Sequence, residues 1–538
     1  MNDERASFRW EVPQGFSFAH DVIDRLARED RRALVFIDND RSQRTFTFAE
    51  IALASQRYAR VFANDGIGRG DRVLVALPKR PAWIFTMLAL DRIGAVAIPC
   101  AEQLRAKDLL YRANHAVVSA VVACSSNLTE FNETRSEAAT CTRYYLSEAD
   151  APGWERLDAR AESATPSIGI EGDSKDWSYI IYTSGTTKDP KGVIHDRAYT
   201  FAKRMQARFW LDCKPDDVVW STAATGWAKS LWNVLLGPWS CGSAIVMHDG
   251  GFDPAERLDL LRDLGVSVLC QAPTEYRLEA KRDDLGTRWK LPLLRHCVSA
   301  GEPLNPEVIE RWKAAFGLTI YDGYGQTENS LLIANLPGDE VRVGAMGRPT
   351  PGHDVAVVDE DGRVCATDVV GDIGLRGAPP TLFKGYLNDE EQTLATRRGE
   401  WYLTGDRARI DADGYFWFVG RADDVISSGA YRIGPFEVES ALLEHPAVAE
   451  SAVVGSPDAD RGNIVKAFVV LRSGFTPDDA LVRELQEHCK RVTAPYKYPR
   501  EIEFVEDLPK TRSGKIRRVE LRQRELDRKG RSAASGQV

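Results

Sequence analysis

The chain has 538 residues, beyond the roughly 250–300 at which one hydrophobic core stops growing, so two or more domains are expected. Its composition, 43% hydrophobic and 28% charged with 13 Trp and 20 Phe, supplies enough core material to exclude wholesale disorder. With 70 basic against 79 acidic residues the net charge is −9, and the only short basic block lies at 512–522, which argues against a nucleic-acid or anionic-membrane binder.

The chain starts with acidic residues where a secretion signal needs a basic start followed by an apolar stretch, and no run approaches the roughly 18 apolar residues of a membrane span. Nine scattered cysteines never form a C-x-x-C pair and read as free thiols. A cytoplasmic protein without an integral membrane segment is therefore expected. Helical and strand periods then alternate: a helix over Phe48–Asn64, a strand over 72–77, a helix over 82–93 and a strand over 95–99. The alternation recurs around 220–247 and 265–273 and predicts an α/β fold: a large N-terminal domain of layered sheets and helices, with a largely parallel sheet.

From 344 to 419 the texture changes to short β-like runs separated by turn signals such as Asp411-Ala-Asp-Gly414, which predicts a small β subdomain. Beyond it come a helix over 435–445, strands over 448–455 and 466–471, a helix over 478–491 and a strand over 501–505, enough for a separate α+β C-terminal domain. The expected boundaries are 1–421 for the large domain, 422–531 for the small one and a disordered polar tail over 532–538.

Chemistry concentrates in Tyr182-Thr-Ser-Gly-Thr-Thr-Lys-Asp-Pro-Lys-Gly192, which follows a strand-like segment. Its hydroxyls, backbone N–H groups and Lys191 are suited to wrap a polyphosphate, although the spacing is not that of a Walker A loop. On composition alone such a run is more often an ordinary loop. The segment resembles the signature loop of the adenylate-forming superfamily of acyl-CoA synthetases, peptide-synthetase adenylation domains and luciferases. Five further motifs follow in that family's order: Ser299-Ala-Gly-Glu-Pro303, Tyr321-Asp-Gly-Tyr-Gly-Gln-Thr-Glu328, Trp401-Tyr-Leu-Thr-Gly-Asp406, Gly420-Arg-Ala-Asp-Asp424 and Pro509-Lys-Thr-Arg-Ser-Gly-Lys515.

The resemblance implies an enzyme that uses ATP, Mg²⁺ and coenzyme A to activate a small carboxylic acid through an acyl-adenylate. Thr183, Ser184, Gly185, Thr186, Thr187 and Lys191 would embrace the β- and γ-phosphates. Gly301, Glu302, Pro303, Asp322, Gly323, Tyr324 and Gln326 would hold the adenine side of ATP. Thr327 would touch the α-phosphate, Glu328 would hold Mg²⁺, and Asp406 and Arg421 the ribose. Lys515 would be the catalytic cation, Asp423 the pivot of a hinge about which a mobile C-terminal domain turns, Ser428 and Gly429 CoA contacts, and Arg432 a phosphate contact. Lys188 stands where the loop usually has glycine, and Ala430 is one residue more than the common pattern has.

Thr225-Gly-Trp-Ala-Lys-Ser-Leu-Trp232 and Gly237-Pro-Trp239 resemble the medium-chain branch of acyl-CoA synthetases, and on that likeness Trp227, Ala228, Lys229, Trp232, Ala300 and Gly325 would line the acyl pocket. Acetate-specific relatives carry tryptophan at the place of Gly325, so an acid larger than acetate is implied. Lys229 and Trp232 either shorten the far end, favouring a short-to-medium, branched or ring-bearing acid, or are respectively a side chain facing a solvent or CoA channel and an ordinary core residue, and the sequence leaves both readings open. A carrier-protein loading domain is the second class of reading. Ala228 stands where that class usually has aspartate, and no carrier-like segment follows Lys515. A non-catalytic module of the same fold is a third reading. A homodimer is left open.

Overall fold

The computed structural model describes residues 2–535 apart from 168, 170, 171, 184–188, 303, 305, 422, 423, 429, 430, 459, 460, 494 and 511–515. Two large sheets carry the first 350 residues. One has nine strands, with Ile320–Gln326, His296–Ala300, Val268–Gln271, Val218–Ser221, Ala244–His248 and Arg32–Ile37 side by side and parallel. Its antiparallel edges are Gln43–Thr47 on one side and Ser330–Ala334 with Arg348–Pro349 on the other. The second sheet has eight strands around a parallel centre of Val96–Pro99, Arg72–Ala76 and Ala120–Ala123.

The local chemistry explains these elements. Strands in the parallel centres are covered on both faces, and so read as unbroken apolar runs such as Val73-Leu-Val-Ala76, all fully buried. The helix Phe48–Asn64 begins where the Thr47 hydroxyl accepts from Glu50 N while Glu50 returns the bond, a capping box written in the sequence. The helix Pro81–Ile93 starts on proline at its first turn and stops at Gly94, whose φ of 74° suits glycine.

The expected β subdomain is a five-stranded antiparallel sheet of Asp354–Val358, Gly371–Arg376, Trp401–Ile410, Arg397–Arg398 and Phe416–Arg421. It begins later than the turn texture suggests, because Arg348–Pro349 pairs with Ile333 and Ala334 and so belongs to the nine-stranded sheet. Past Arg421 stand a hairpin of Ile426–Ser428 and Tyr431–Ile433, a three-stranded sheet of Val448–Asp458, Gly462–Leu471 and Glu501–Phe504, and helices Pro435–Leu443, Asp479–Val492 and Arg518–Ser535. That last helix corrects one expectation: residues 532–535, read as polar tail, continue it, because nothing in 518–535 breaks an α-helix before Ser535 except the single Gly530.

Candidate active site

The candidate site gathers at the carboxyl ends of His296–Ala300 and Ile320–Gln326, where open parallel sheets place their ligands. Strands Trp177–Thr183 and Lys191–Asp196 form an antiparallel hairpin in which Thr183 faces Lys191. They thus present the loop between them, of which 184–188, including Ser184, Gly185, Thr186, Thr187 and Lys188, lie outside the described residues. The Lys191 ammonium lies 5.1 Å from the centre of the Tyr386 ring, and its charge is felt at Glu328.

Glu328 and Thr327 occupy the turn of the hairpin formed by 320–334. The turn is held from outside at each residue: the Thr327 carbonyl accepts from His195 Nε2 at 2.8 Å, the Glu328 carbonyl from Phe383 N at 2.7 Å, and Glu328 Oε1 from the Tyr386 hydroxyl at 3.0 Å. Because a carbonyl only accepts, His195 carries its proton on Nε2. Burial raises the Glu328 carboxyl above its ordinary range, opposed by its hydrogen bonds and by Lys191 and Arg421. A buried carboxylate with raised pKa gains from a cation brought against it, so an oxygen donor here fits Mg²⁺.

Beside this turn, Asp406 is the centre of a buried polar cluster. Its Oδ2 accepts from Tyr324 OH at 2.6 Å and from Gln326 Nε2 at 2.9 Å; Gln326 Nε2 also donates to the Thr404 carbonyl, and Tyr402 OH bonds Gln326 Oε1 at 3.2 Å. Asp406 faces Arg421 across the strand pair, so the two expected ribose contacts are neighbours. Asp322, on the next residues of the same strand, is pushed up to about 7 by burial, against the backbone donors of Gly323 and Leu304 and the charge of Lys229. Gly301 has φ 108°, a conformation side-chain-bearing residues rarely adopt, and Glu302 next to it binds Arg277 at 3.0 Å. Pro303 lies outside the described residues.

The acyl-side residues converge from 225–239. Lys229 folds back so that its amine donates to the Ala300 carbonyl, bringing two expected lining residues together. Ala228 and Trp232 are buried, and the Trp232 indole N–H donates to the Tyr199 hydroxyl. Trp227 contributes its carbonyl to Ser230 Oγ at 2.7 Å. Gly325 differs from its expected role. A Cβ built on it would overlap the Ser330 carbonyl oxygen, so glycine stands there because the return strand approaches too closely for any side chain, and a side chain at 325 would aim at backbone. Of the remaining expected residues, Ser428 is buried in its hairpin, Arg432 pairs with Ser427 through the backbone, and Lys515, Asp423 and Gly429 lie outside the described residues.

Two domains of known type follow each other along the chain: the AMP-binding enzyme domain over 24–387 and the AMP-binding enzyme C-terminal domain over 437–515. The chain belongs to the AMP-binding enzyme family. It is 41% identical over 541 residues to the mitochondrial acyl-coenzyme A synthetase ACSM3 of Mus musculus, with 97% of this chain and 92% of the relative covered. Against the acyl-CoA ligase YtcI of Bacillus subtilis (strain 168) identity is 43% over 524 residues, covering 97% and 98%. Its fold overlays that of the anthranilate CoA ligase AuaEII, solved with anthranoyl-AMP, at a TM-score of 0.87 and 29% identity over 96% and 98% of the two chains. The chain is thus an AMP-forming acyl-CoA synthetase, which joins a carboxylic acid to CoA with ATP and Mg²⁺ through an acyl-adenylate, and the carrier-loading and non-catalytic readings are set aside.

In this synthetase several residues around the site stand outside the motifs that sequence reasoning singled out. Tyr386 and Phe383 come from 382–387, a segment with no chemical signature, and reach Glu328 only because Gly385 and Tyr386 pair with Ile194 and Val193 beside the phosphate hairpin. His195 lies on the second strand of that hairpin, and Tyr199 and Lys203 sit on the next helix, Arg197–Phe209. A lysine among apolar helical positions was their one legible signal.

Proposed function

We propose that this synthetase activates a short-to-medium-chain acid that is branched or carries a ring, in an acyl pocket bounded by Trp227, Ala228, Lys229, Trp232 and Ala300. The observation that supports the reading is that both bulky side chains are tied: the Lys229 amine donates to the Ala300 carbonyl and the Trp232 indole to the Tyr199 hydroxyl, so neither swings aside freely for a long linear chain. The anthranilate CoA ligase, a neighbour in fold that acts on a ring-bearing acid, supports the same class.

The acid carboxylate attacks the α-phosphorus of ATP, forming acyl-AMP and expelling pyrophosphate; the CoA thiol then displaces AMP and leaves the thioester. Two anions must meet in the first step, so positioned cations carry most of the catalysis. Lys515 and Lys191 supply positive charge, Thr327 meets the α-phosphate, and Glu328 would hold Mg²⁺, which would supply further positive charge against the phosphates. Asp406 and Arg421 take the ribose, and Gly301, Glu302, Pro303 and the strand residues Asp322, Gly323 and Tyr324 the adenine. Across the domain boundary, burial works against the charged form of Arg518, while Glu439 and then Glu302 on the adenine-side turn favour it. We divide the chain at 421/422, with Asp423 as pivot.

No helix among the described residues is long and apolar enough to cross a membrane, and every cysteine is a free thiol, which supports a reducing, cytoplasmic setting. A panel from acetate to decanoate with isobutyrate, 2-methylbutyrate and benzoate, read as CoA-dependent AMP release, tests the substrate class. Highest kcat/KM on a branched or aromatic acid is expected, and a maximum at decanoate would overturn the reading.

A further inference from the structure

A bracket of buried side chains joins Trp232, read above as the far end of the acyl pocket, to the turn that carries Thr327 and Glu328. Tyr199 lies stacked on His195 with ring centres 3.7 Å apart and planes at 20°, while the Lys203 amine sits 3.3 Å from the same ring centre. Both partners cannot share one face at those distances, so the tyrosine is held between them. Its hydroxyl accepts from the Trp232 indole, and the Lys203 amine is 5.0 Å from the Trp232 ring. One arm of the bracket thus runs from the Thr327 carbonyl through His195 and Tyr199 to Trp232.

The second arm starts at Ser330, two residues after Glu328. Ser330 is held at φ 66°, a conformation that a residue with a side chain keeps only where its surroundings impose it. Lys203 Nζ donates to Ser330 Oγ at 2.7 Å, Ser330 Oγ donates to Gln206 Oε1 at 2.9 Å, and Gln206 Nε2 donates to Asn233 Oδ1 at 2.6 Å, on the residue next to Trp232. His195, Tyr199 and Lys203 are without solvent exposure, and no salt bridge pairs Lys203 with a carboxylate among the described residues. Burial holds the Lys203 amine well below the usual lysine range. An uncharged amine donates its N–H groups to Ser330 and to the tyrosine ring without leaving a bare charge in the core. An apolar side chain of similar length would fill the space and make neither bond.

We propose that Lys203, acting with Tyr199 and His195, is a positioning residue that sets the distance from the pocket end at Trp232 to the Thr327–Glu328 turn, and thereby determines which acids bring their carboxylate into line with the α-phosphate. The inference rests on the reading of Trp232 as the end of the acyl pocket. Its physical basis is that the acid is gripped at one end by Trp232 and must react at the other, so a shift of about 1 Å between the two is felt as a large loss of rate for some acids and a gain for others. Most residues read as ATP contacts lie outside the bracket, so a change in ATP affinity is expected to be the smaller effect.

The test uses the full chain with three variants, Lys203→Met, Tyr199→Phe and Trp232→Ala, each assayed over the acid panel for kcat/KM, for KM of ATP and for thermal midpoint. The ratio of kcat/KM for the longest to the shortest accepted acid is expected to move by about tenfold or more in all three variants, the scale of one or two methylenes in a pocket, with KM for ATP within about twofold of the parent. Tyr199→Phe removes only the hydroxyl that holds Trp232 and decides the matter if Lys203→Met does not fold. A shifted ratio in Trp232→Ala with an unchanged one in Tyr199→Phe and Lys203→Met overturns the inference alone. An unchanged ratio in Trp232→Ala overturns the pocket assignment and the inference with it. Equal losses on every acid with a lowered thermal midpoint would show that Lys203 only holds the core together.

Discussion

Adding one methyl group at Gly325 separates two accounts of why the chain has glycine there. In the hairpin of 320–334 Gly325 faces Leu331 and Gln326 faces Ser330, after a register shift between Tyr324 and Gly325. A Cβ at 325 overlaps the Ser330 carbonyl oxygen and comes within 3.0 Å of the Leu331 Cα, so Gly325→Ala forces the strands apart. Overpacking of this kind costs about 1–3 kcal/mol. Because Thr327 and Glu328 sit in the turn between those strands, an opening of about 1 Å displaces them and costs roughly 100-fold in rate. We therefore expect Gly325→Ala to lower kcat for adenylation by about 10- to 100-fold, measured as acid-dependent pyrophosphate release, with no contraction of the preference towards acetate and propionate. Gly325→Trp should fail more completely. If Gly325→Trp instead stays active and its preference contracts to acetate and propionate, position 325 faces the substrate and the backbone account is wrong.

Other residues give equally direct tests. Lys515→Ala should cripple adenylation while thioester formation from supplied acyl-adenylate survives far better, and equal loss of both half-reactions would reject its role. Tyr386→Phe removes a hydrogen bond that lowers the Glu328 pKa, so the acidic limb of the kcat/KM profile should move to higher pH; a limb that stays in place would detach Glu328 from it. Glu279, fully buried, is pushed up to about 8 by burial, with Arg257 opposing and Glu275 adding to the shift. With an ordinary value near 4.5 when unfolded, the folded chain binds the extra proton between those limits, so stability is lost as pH rises from 4.5 towards 8. Glu279→Gln should therefore gain thermal midpoint over the parent progressively across that range, and a difference independent of pH would contradict it. Asp423→Pro should spare adenylation and slow transfer to CoA, read by pre-steady-state kinetics of both steps, because proline fixes φ where the hinge must turn; thioester formation at the parental rate would remove Asp423 from the pivot role.

Where the sequence spoke clearly, it did so through local physics. The helical period placed Phe48–Asn64 to the residue, and the doubly covered parallel strands declared themselves as short unbroken apolar runs. The order of nine and eight strands in two sheets was not legible, since it depends on pairings between segments far apart in the chain, such as Leu34 with Ile245. At the site, Tyr324, Gln326 and Asp406 were all read from motifs and do meet in one hydrogen-bonded cluster. Tyr386 was not legible, because its closeness to Glu328 arises only when 385–386 adds as an edge strand beside 193–194. The direction of Gly325 was missed for a similar reason. A bulge decides which way its Cβ bond points, and a bulge leaves no mark in composition.

The central claim, that the acid is activated as an adenylate, is tested most directly with acid labelled in both carboxylate oxygens by ¹⁸O. If the carboxylate attacks the α-phosphorus and CoA then displaces AMP, each turnover leaves one labelled oxygen in AMP and none in pyrophosphate. Label in inorganic phosphate together with ADP, or AMP free of label, would contradict the account.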